Sequence, residues 1–376
     1  MAGFATHIIF GDEVLGELAD PMLSSIVRKH KGVFGTGCQG PDLFLYNVAM
    51  LISDHQKNLG SRMHGENTGR FFACLLQMVW ERKDILGFEV GLSYFMGILA
   101  HYTMDTIIHP FVGARIGYDP EEPCSQKETM PKHHRLESMI DAQMLAVKAQ
   151  MLPSAYQPEK ALELSRLERE VLTEILSEAV GQAYRLKVSK ANVRDSLSMM
   201  KMAAKSFYFS PDKRKKVYEK VESFFCGRKS RRERKPEYGL AGERAKGFYS
   251  NLLVADAYVT KRQVMNLEGK PWRHPWKPEQ VSRASVWELY ERAVARYAQY
   301  VEGIKPLLRR YVTRYLAISH PYYSYEEKEE KTRVAREEQR MRKCLYELRS
   351  REEMRKFIRK SVKELGNLSY NTGLPL

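Results

Sequence analysis

The chain has 376 residues, 43% of them hydrophobic, enough for a sizeable core in one large or two modest domains. Its five cysteines are widely spaced and form no CxxC pair, which excludes a disulfide framework and fits a reducing compartment. The net charge of +15 is uneven: residues 1–160 carry 14 Lys/Arg against 18 Asp/Glu, and the remainder carries 47 against 28. A basic second half suits an anionic partner such as a membrane surface or nucleic acid, or else a solubilising helical exterior.

The N-terminal "MAGFATHIIFGDEV" lacks the charged and apolar regions of a secretory signal. Helical spacing of apolar residues follows over 43–53, 69–80, 90–108 and 134–150, and no run of alternating strands interrupts it. The longest uncharged run, Val90 to Met104, is shorter than the roughly 20 residues of a membrane span and reads as a core helix. Pro110 is expected to end that helix. "KGVFGTGCQGPDLF" (31–44) and "GYDPEEPCSQKETMPK" (117–132) are expected loops. Further on, 160–184 reads as an amphipathic helix, 212–236 as a strongly basic stretch with an exposed loop, and 242–264 as helix again. "GKPWRHPWKP" (269–278) is a Pro/Trp turn before the helix "SVWELYERAVARYAQYVEGI", and 325–364 is a long charged helix or helix pair. The fold class is therefore all-α, divided into a metal-site core (1–155), helices packing around it (156–310) and a basic charged helical extension (311–376).

Chemistry is concentrated early, since eight of the ten histidines precede residue 135. "HYTMDTIIHP" places His101, Asp105 and His109 at four-residue steps, on one face of a helix. "HHRLESMID" repeats the pattern with His133, Glu137 and Asp141. Imidazole and carboxylate are the usual non-thiolate ligands of zinc, and a cation compensates a carboxylate buried at Asp105. No Ser–His–Asp or Cys–His arrangement, P-loop or GxGxxG is present, so water activated by metal is the economical chemistry.

The segments "GCQGPDLFLY", "LGSRMH", "LAHYTMDTIIHPF" and "HHRLESMID", following "MAGFATH", resemble the zinc-dependent phospholipase C family, in particular its signal-less bacterial branch. The likeness is motif-dense over roughly 1–145 and thinner through "HPWKPE" to about 305. It implies a multi-helix fold similar to that of the single-strand-specific zinc nucleases. It also implies one zinc held by Asp42, His64, His101 and Asp105, a second by His109, His133 and Glu137, and a third by His7 with Asp105. Secreted relatives complete the third zinc with the amino group of an N-terminal Trp. This sequence has no such Trp, Met1 or Ala2 being the available amine, so two or three Zn2+ per chain are expected. His55 competes with His64, and the phrase "LGSRMH" favours His64. Four-residue spacing to Glu137 favours His133 over His134, and Cys38 is left out as a buried residue.

The resemblance makes Asp42 the residue that orients or deprotonates the attacking water. Asp141 would orient a ligand through a hydrogen bond or serve as a plain helix-face acid. The implied activity is hydrolysis of phospholipid or another phosphodiester, with peripheral contact to an anionic membrane and a cytoplasmic location at its inner face. A zinc nuclease on single-stranded nucleic acid ranks behind it, and a non-catalytic metal-stabilised lipid-binding or scaffold protein is the third alternative.

Overall fold

One apolar helix, Ile85–Ile116, forms the axis of the structure. The computed structural model describes residues 3–47, 59–122, 125–208, 252–304, 306–307 and 351–376. Its α-helices are α1 (Phe4–Gly16), α2 (Pro21–Lys29), α3 (Lys31–Cys38), α4 (Leu59–Gly65), α5 (Thr68–Glu81), α6 (Ile85–Ile116), α7 (Ser125–Val147), α8 (Arg166–Tyr184), α9 (Lys190–Phe207), α10 (Val286–Gly303) and α11 (Arg351–Leu365). The fold is all-α. Two short antiparallel strands, β1 (Trp272–His274) and β2 (Lys277–Ser282), form a hairpin around the expected Pro/Trp turn. Their residues do not alternate apolar and polar, which is why the pattern does not announce them.

Helix α6 begins where the Asp84 side chain accepts the backbone N–H of Gly87, and it ends at Gly117 in the left-handed conformation. It is long and apolar enough to cross a membrane, but 89% of its most apolar window is buried inside the protein. Helices α1, α3, α5, α8 and α10 pack against it, and α7 lies along α1. The tightest crossing is with α3. A side chain at Gly97 would place its Cβ 2.1 Å from the Phe34 carbonyl oxygen, and one at Gly37 would meet Tyr94 O at 2.5 Å. Backbones that close require small residues, so 31–38 is helix and not the expected loop: its glycines serve contact, not a turn. The chain then tightens into a 3-10 turn over Gly40–Leu45 that carries Asp42.

Pro110 lies inside α6 and does not end it. Phe111 and Val112 beyond it are fully buried, and that burial outweighs the roughly 3 kcal/mol a helix-interior proline costs. The proline leaves the carbonyl of Thr106 without its helical partner. Helix α7 also begins earlier than the loop expected over 117–132 allows, at Ser125. The later part of 242–264 forms 3-10 turns, Asp256–Thr260 and Arg262–Met265, in place of helix.

The expected stretches 212–236 and 311–350 lie outside the described residues. Helix α11 packs on α5, with Phe357 stacked on Trp80 at 5.2 Å between ring centroids. Met354, Phe357 and Leu365 are buried on one side of an otherwise charged helix.

A buried polar knot ties the α2–α3 junction to the core. His30 contacts Glu168 through Nδ1 (2.7 Å) and Glu89 through Nε2 (3.0 Å), and Lys29 reaches Glu89 at 2.6 Å. Burial alone would lower the His30 pKa, but its hydrogen bonds to the two carboxylates raise it above the ordinary value. The charged imidazole therefore stabilises the fold fully below about pH 6.5, and this contribution fades as pH rises through the raised folded value. The stability difference between wild type and His30→Gln should be largest near pH 6 and shrink toward pH 9, as measured by urea unfolding of metal-free protein.

Candidate metal centre

The long helix brings its histidines and acid to one face, as the four-residue spacing requires. Asp105 is fully buried and forms the hub. Its Oδ1 lies 3.2 Å from His7 Nε2 and 3.7 Å from His109 Nε2. Its Oδ2 lies 3.0 Å from His101 Nε2 and 3.8 Å from His64 Nε2. Helix α1 delivers His7, whose ring stacks on His101 at 4.0 Å. Helix α4 delivers His64, 3.1 Å from Asp42 Oδ1 on the 3-10 turn. Gly40 makes that turn with φ of +50°, and a Cβ there would fall 2.4 Å from the His101 ring.

Three groups could each surround one ion: Asp42, His64 and His101; His7, His101 and Asp105; and His109, His133 and Glu137. The expected ligands are thus brought together, all buried except His133, which is 20% exposed at its side chain. His133 Nε2 lies 2.6 Å from Glu137 Oε1, whereas His134 Nδ1 is 3.9 Å from Glu137 Oε2. His55, Met1 and Ala2 lie outside the described residues. The thiol of Cys38 is buried and its pKa is pushed up by desolvation, the opposite of what a thiolate ligand needs.

The outer nitrogens of three histidines are fixed by backbone carbonyls. His64 Nδ1 donates to Gly60 O (2.7 Å), His101 Nδ1 to Cys38 O (3.0 Å) and His109 Nδ1 to Tyr370 O (2.8 Å). A carbonyl only accepts, so Nδ1 carries the proton and a neutral ring turns its Nε2 lone pair inward. Burial drives His109 down to about 3, and burial with the nearby His101 drives His7 to about 4, so both are neutral at ordinary pH. Burial likewise lowers His133 well below its usual range. For Asp105 burial favours the acid, but the imidazoles of His109, His101 and His7 outweigh it and the pKa lies well below the usual carboxylate range. Glu137 is pushed well up, by burial first and then by Asp105, Asp42 and Asp141.

Inward lone pairs facing carboxylate oxygens at about 3 Å call for a cation. The Nε2 atoms of His7, His64, His101 and His109, and Oδ1 of Asp42, are buried and find no hydrogen-bond partner among the described residues. Such orphaned atoms are costly unless something compensates them. Nitrogen and carboxylate donors without sulfur fit zinc.

Asp141 makes no hydrogen bond to a metal-facing histidine ring among the described residues. Its carboxylate accepts the backbone N–H groups of Ala5 (3.0 Å) and Thr6 (2.8 Å), the Thr6 hydroxyl (2.6 Å) and the Tyr208 hydroxyl. It caps α1 from another helix, because Gly3 at the N-cap has no side chain to do so. Asp141 thereby sets the position of His7, one residue beyond Thr6. Sequence reasoning also missed the carbonyls of Gly60, Cys38 and Tyr370, since any residue can offer one.

Asp42 and Glu137 line a cavity whose other walls include Phe4, Tyr46, Phe207 and Val254. A larger cleft, about 780 Å3, lies elsewhere, between α10, the hairpin and the C-terminal residues, and none of the metal-facing side chains lines it.

Residues 6–192 match the family model described as zinc dependent phospholipase C, and the chain belongs to that family. No curated protein and no solved structure matches the chain.

Replacing Asp141 with Ala strands the first N–H groups of α1. Asp141→Ala should lower stability by about 2 kcal/mol or more, measured by urea unfolding of the metal-free protein.

Proposed function

We propose that this protein is a zinc-dependent hydrolase that cleaves phosphodiester bonds, with phospholipid as substrate in a phospholipase C-type reaction. The supporting observation is the set of buried, inward histidine nitrogens that find no hydrogen-bond partner among the described residues and lie against Asp42 and Asp105. The family match agrees with it. The ligand assignment is Asp42, His64, His101 and Asp105 for one zinc, His109, His133 and Glu137 for a second, and His7 with Asp105 for a third where an amine completes it. When bound, zinc supplies Lewis acidity that draws charge from a phosphoryl oxygen and makes water acidic enough to react near neutral pH.

The chain's own groups do the rest. Asp42 lines the cavity, and its pKa lies below the usual range: burial opposes this, but the neighbouring imidazoles of His64 and His101 prevail. It is therefore ionised and placed to accept a hydrogen bond from the attacking water and orient it. The cavity beside Asp42 is small, about 40 Å3, which suits a water, and the choice of phospholipid as substrate is supported by the family match. The basic second half would hold the enzyme peripherally at an anionic inner leaflet in the cytoplasm.

Zinc-loaded protein should release phosphorylated headgroup and diacylglycerol from phospholipid vesicles while leaving single-stranded DNA intact. Asp42→Asn should lower kcat/KM by about 10²-fold or more. DNA cleavage without lipid cleavage would favour the nuclease alternative, and survival of lipid, DNA and related phosphodiesters alike would leave a non-catalytic metal-stabilised protein.

A further inference from the structure

Residues far beyond the family-matched segment reach the metal centre. After α11 the chain turns back in a small hairpin. Ser369 N donates to Leu374 O (2.8 Å), Gly373 N to Ser369 O (2.8 Å) and Leu376 N to Asn367 O (3.0 Å). The hairpin is clamped at its base. The Tyr102 hydroxyl donates to Leu365 O (2.7 Å) and accepts from Leu368 N (2.9 Å), and Gly69 N donates to Asn367 Oδ1 (2.6 Å). It is clamped at its tip by His274, whose Nε2 donates to Thr372 O (3.1 Å).

The inner side of the hairpin touches histidines from all three candidate ion groups. Tyr370 N donates to His64 O (2.9 Å), and the Ser369 hydroxyl donates to the same carbonyl (3.2 Å). The carbonyl of Tyr370 accepts from His109 Nδ1 (2.8 Å). The buried Tyr370 ring lies edge-on to His64 at 5.5 Å and tilted against His101 at 5.7 Å.

Pro110 explains how the hairpin can seat so deeply. Without an N–H at position 110, the Thr106 carbonyl of α6 has no helical partner. Gly373, at φ of +63°, sits over that carbonyl so closely that a Cβ there would lie 2.2 Å from Thr106 O. A helix-interior proline and a C-terminal glycine thus form one notch and its filling.

We propose that the C-terminal hairpin, residues 367–376, is a positioning element of the metal centre. Through Tyr370 it fixes the proton and ring plane of His109 and braces His64, so that zinc binding depends on residues outside the matched segment. This rests on the zinc reading above. Outer partners of this kind are worth about 10- to 100-fold in metal affinity.

The test compares the full chain with a deletion of 369–376, with Gly373→Ala and with Tyr370→Phe. Zinc affinity is measured by chelator competition, the visible spectrum of the cobalt-substituted protein reports ligand geometry, and far-ultraviolet circular dichroism reports folding. The deletion and Gly373→Ala should bind zinc at least about 10-fold more weakly, with a changed cobalt spectrum and retained helicity. Tyr370→Phe should match wild type, because the hydroxyl finds no hydrogen-bond partner among the described residues and the carbonyl stays. If the deletion does not fold, Gly373→Ala decides, since it leaves every residue of the hairpin in the chain. Wild-type zinc affinity and cobalt spectrum in Gly373→Ala would overturn the hairpin's role alone. A wild-type chain that binds no zinc would instead overturn the zinc reading on which the role rests.

Discussion

The structure depends on the burial of Asp105 at the centre of its most apolar helix. A carboxylate with no solvent exposure, ringed by His7, His64, His101 and His109 within 3.8 Å, is costly to bury unless positive charge compensates it. At least two of them are held neutral by burial. A cation held among these groups would supply that charge, and the surrounding elements bring the groups that could hold one together. Helix α6 supplies the hub, α1 and α4 bring a histidine each, α7 brings a histidine and an acid, and the 3-10 turn after α3 brings Asp42.

Each of these elements is held by something other than the metal. Asp141 caps α1 across the structure, and glycine-to-glycine packing seats α3 against α6. Backbone carbonyls of Gly60, Cys38 and Tyr370 fix which nitrogen of each histidine faces inward. A site organised before metal arrives loses little conformational freedom on binding, and its geometry is set by the fold.

Part of this was legible in the sequence. The i, i+4 steps of His101, Asp105 and His109, and of His133 and Glu137, are a property of the helix itself, so spacing alone places them on common faces. His7, Asp42 and His64 have no local pattern, and only the family resemblance pointed to them. The glycine-rich run at 31–44 looked like a loop because composition does not distinguish glycines that turn a chain from glycines that let two helices touch. Pro110 looked like a helix end because the burial of Phe111 and Val112 beyond it is a tertiary effect. Asp141 kept the helical spacing of a ligand-orienting acid but faces the N-terminus of α1. The hairpin at 367–376 left no trace, since its contribution is a carbonyl, and carbonyls are common to every residue.

The most direct test of the central claim is zinc-edge X-ray absorption on the purified, zinc-loaded protein. Two or three zinc ions per chain with only nitrogen and oxygen neighbours near 2.0–2.2 Å would agree with the buried histidine–carboxylate centre. Absence of bound zinc, or sulfur scattering near 2.3 Å, would contradict it.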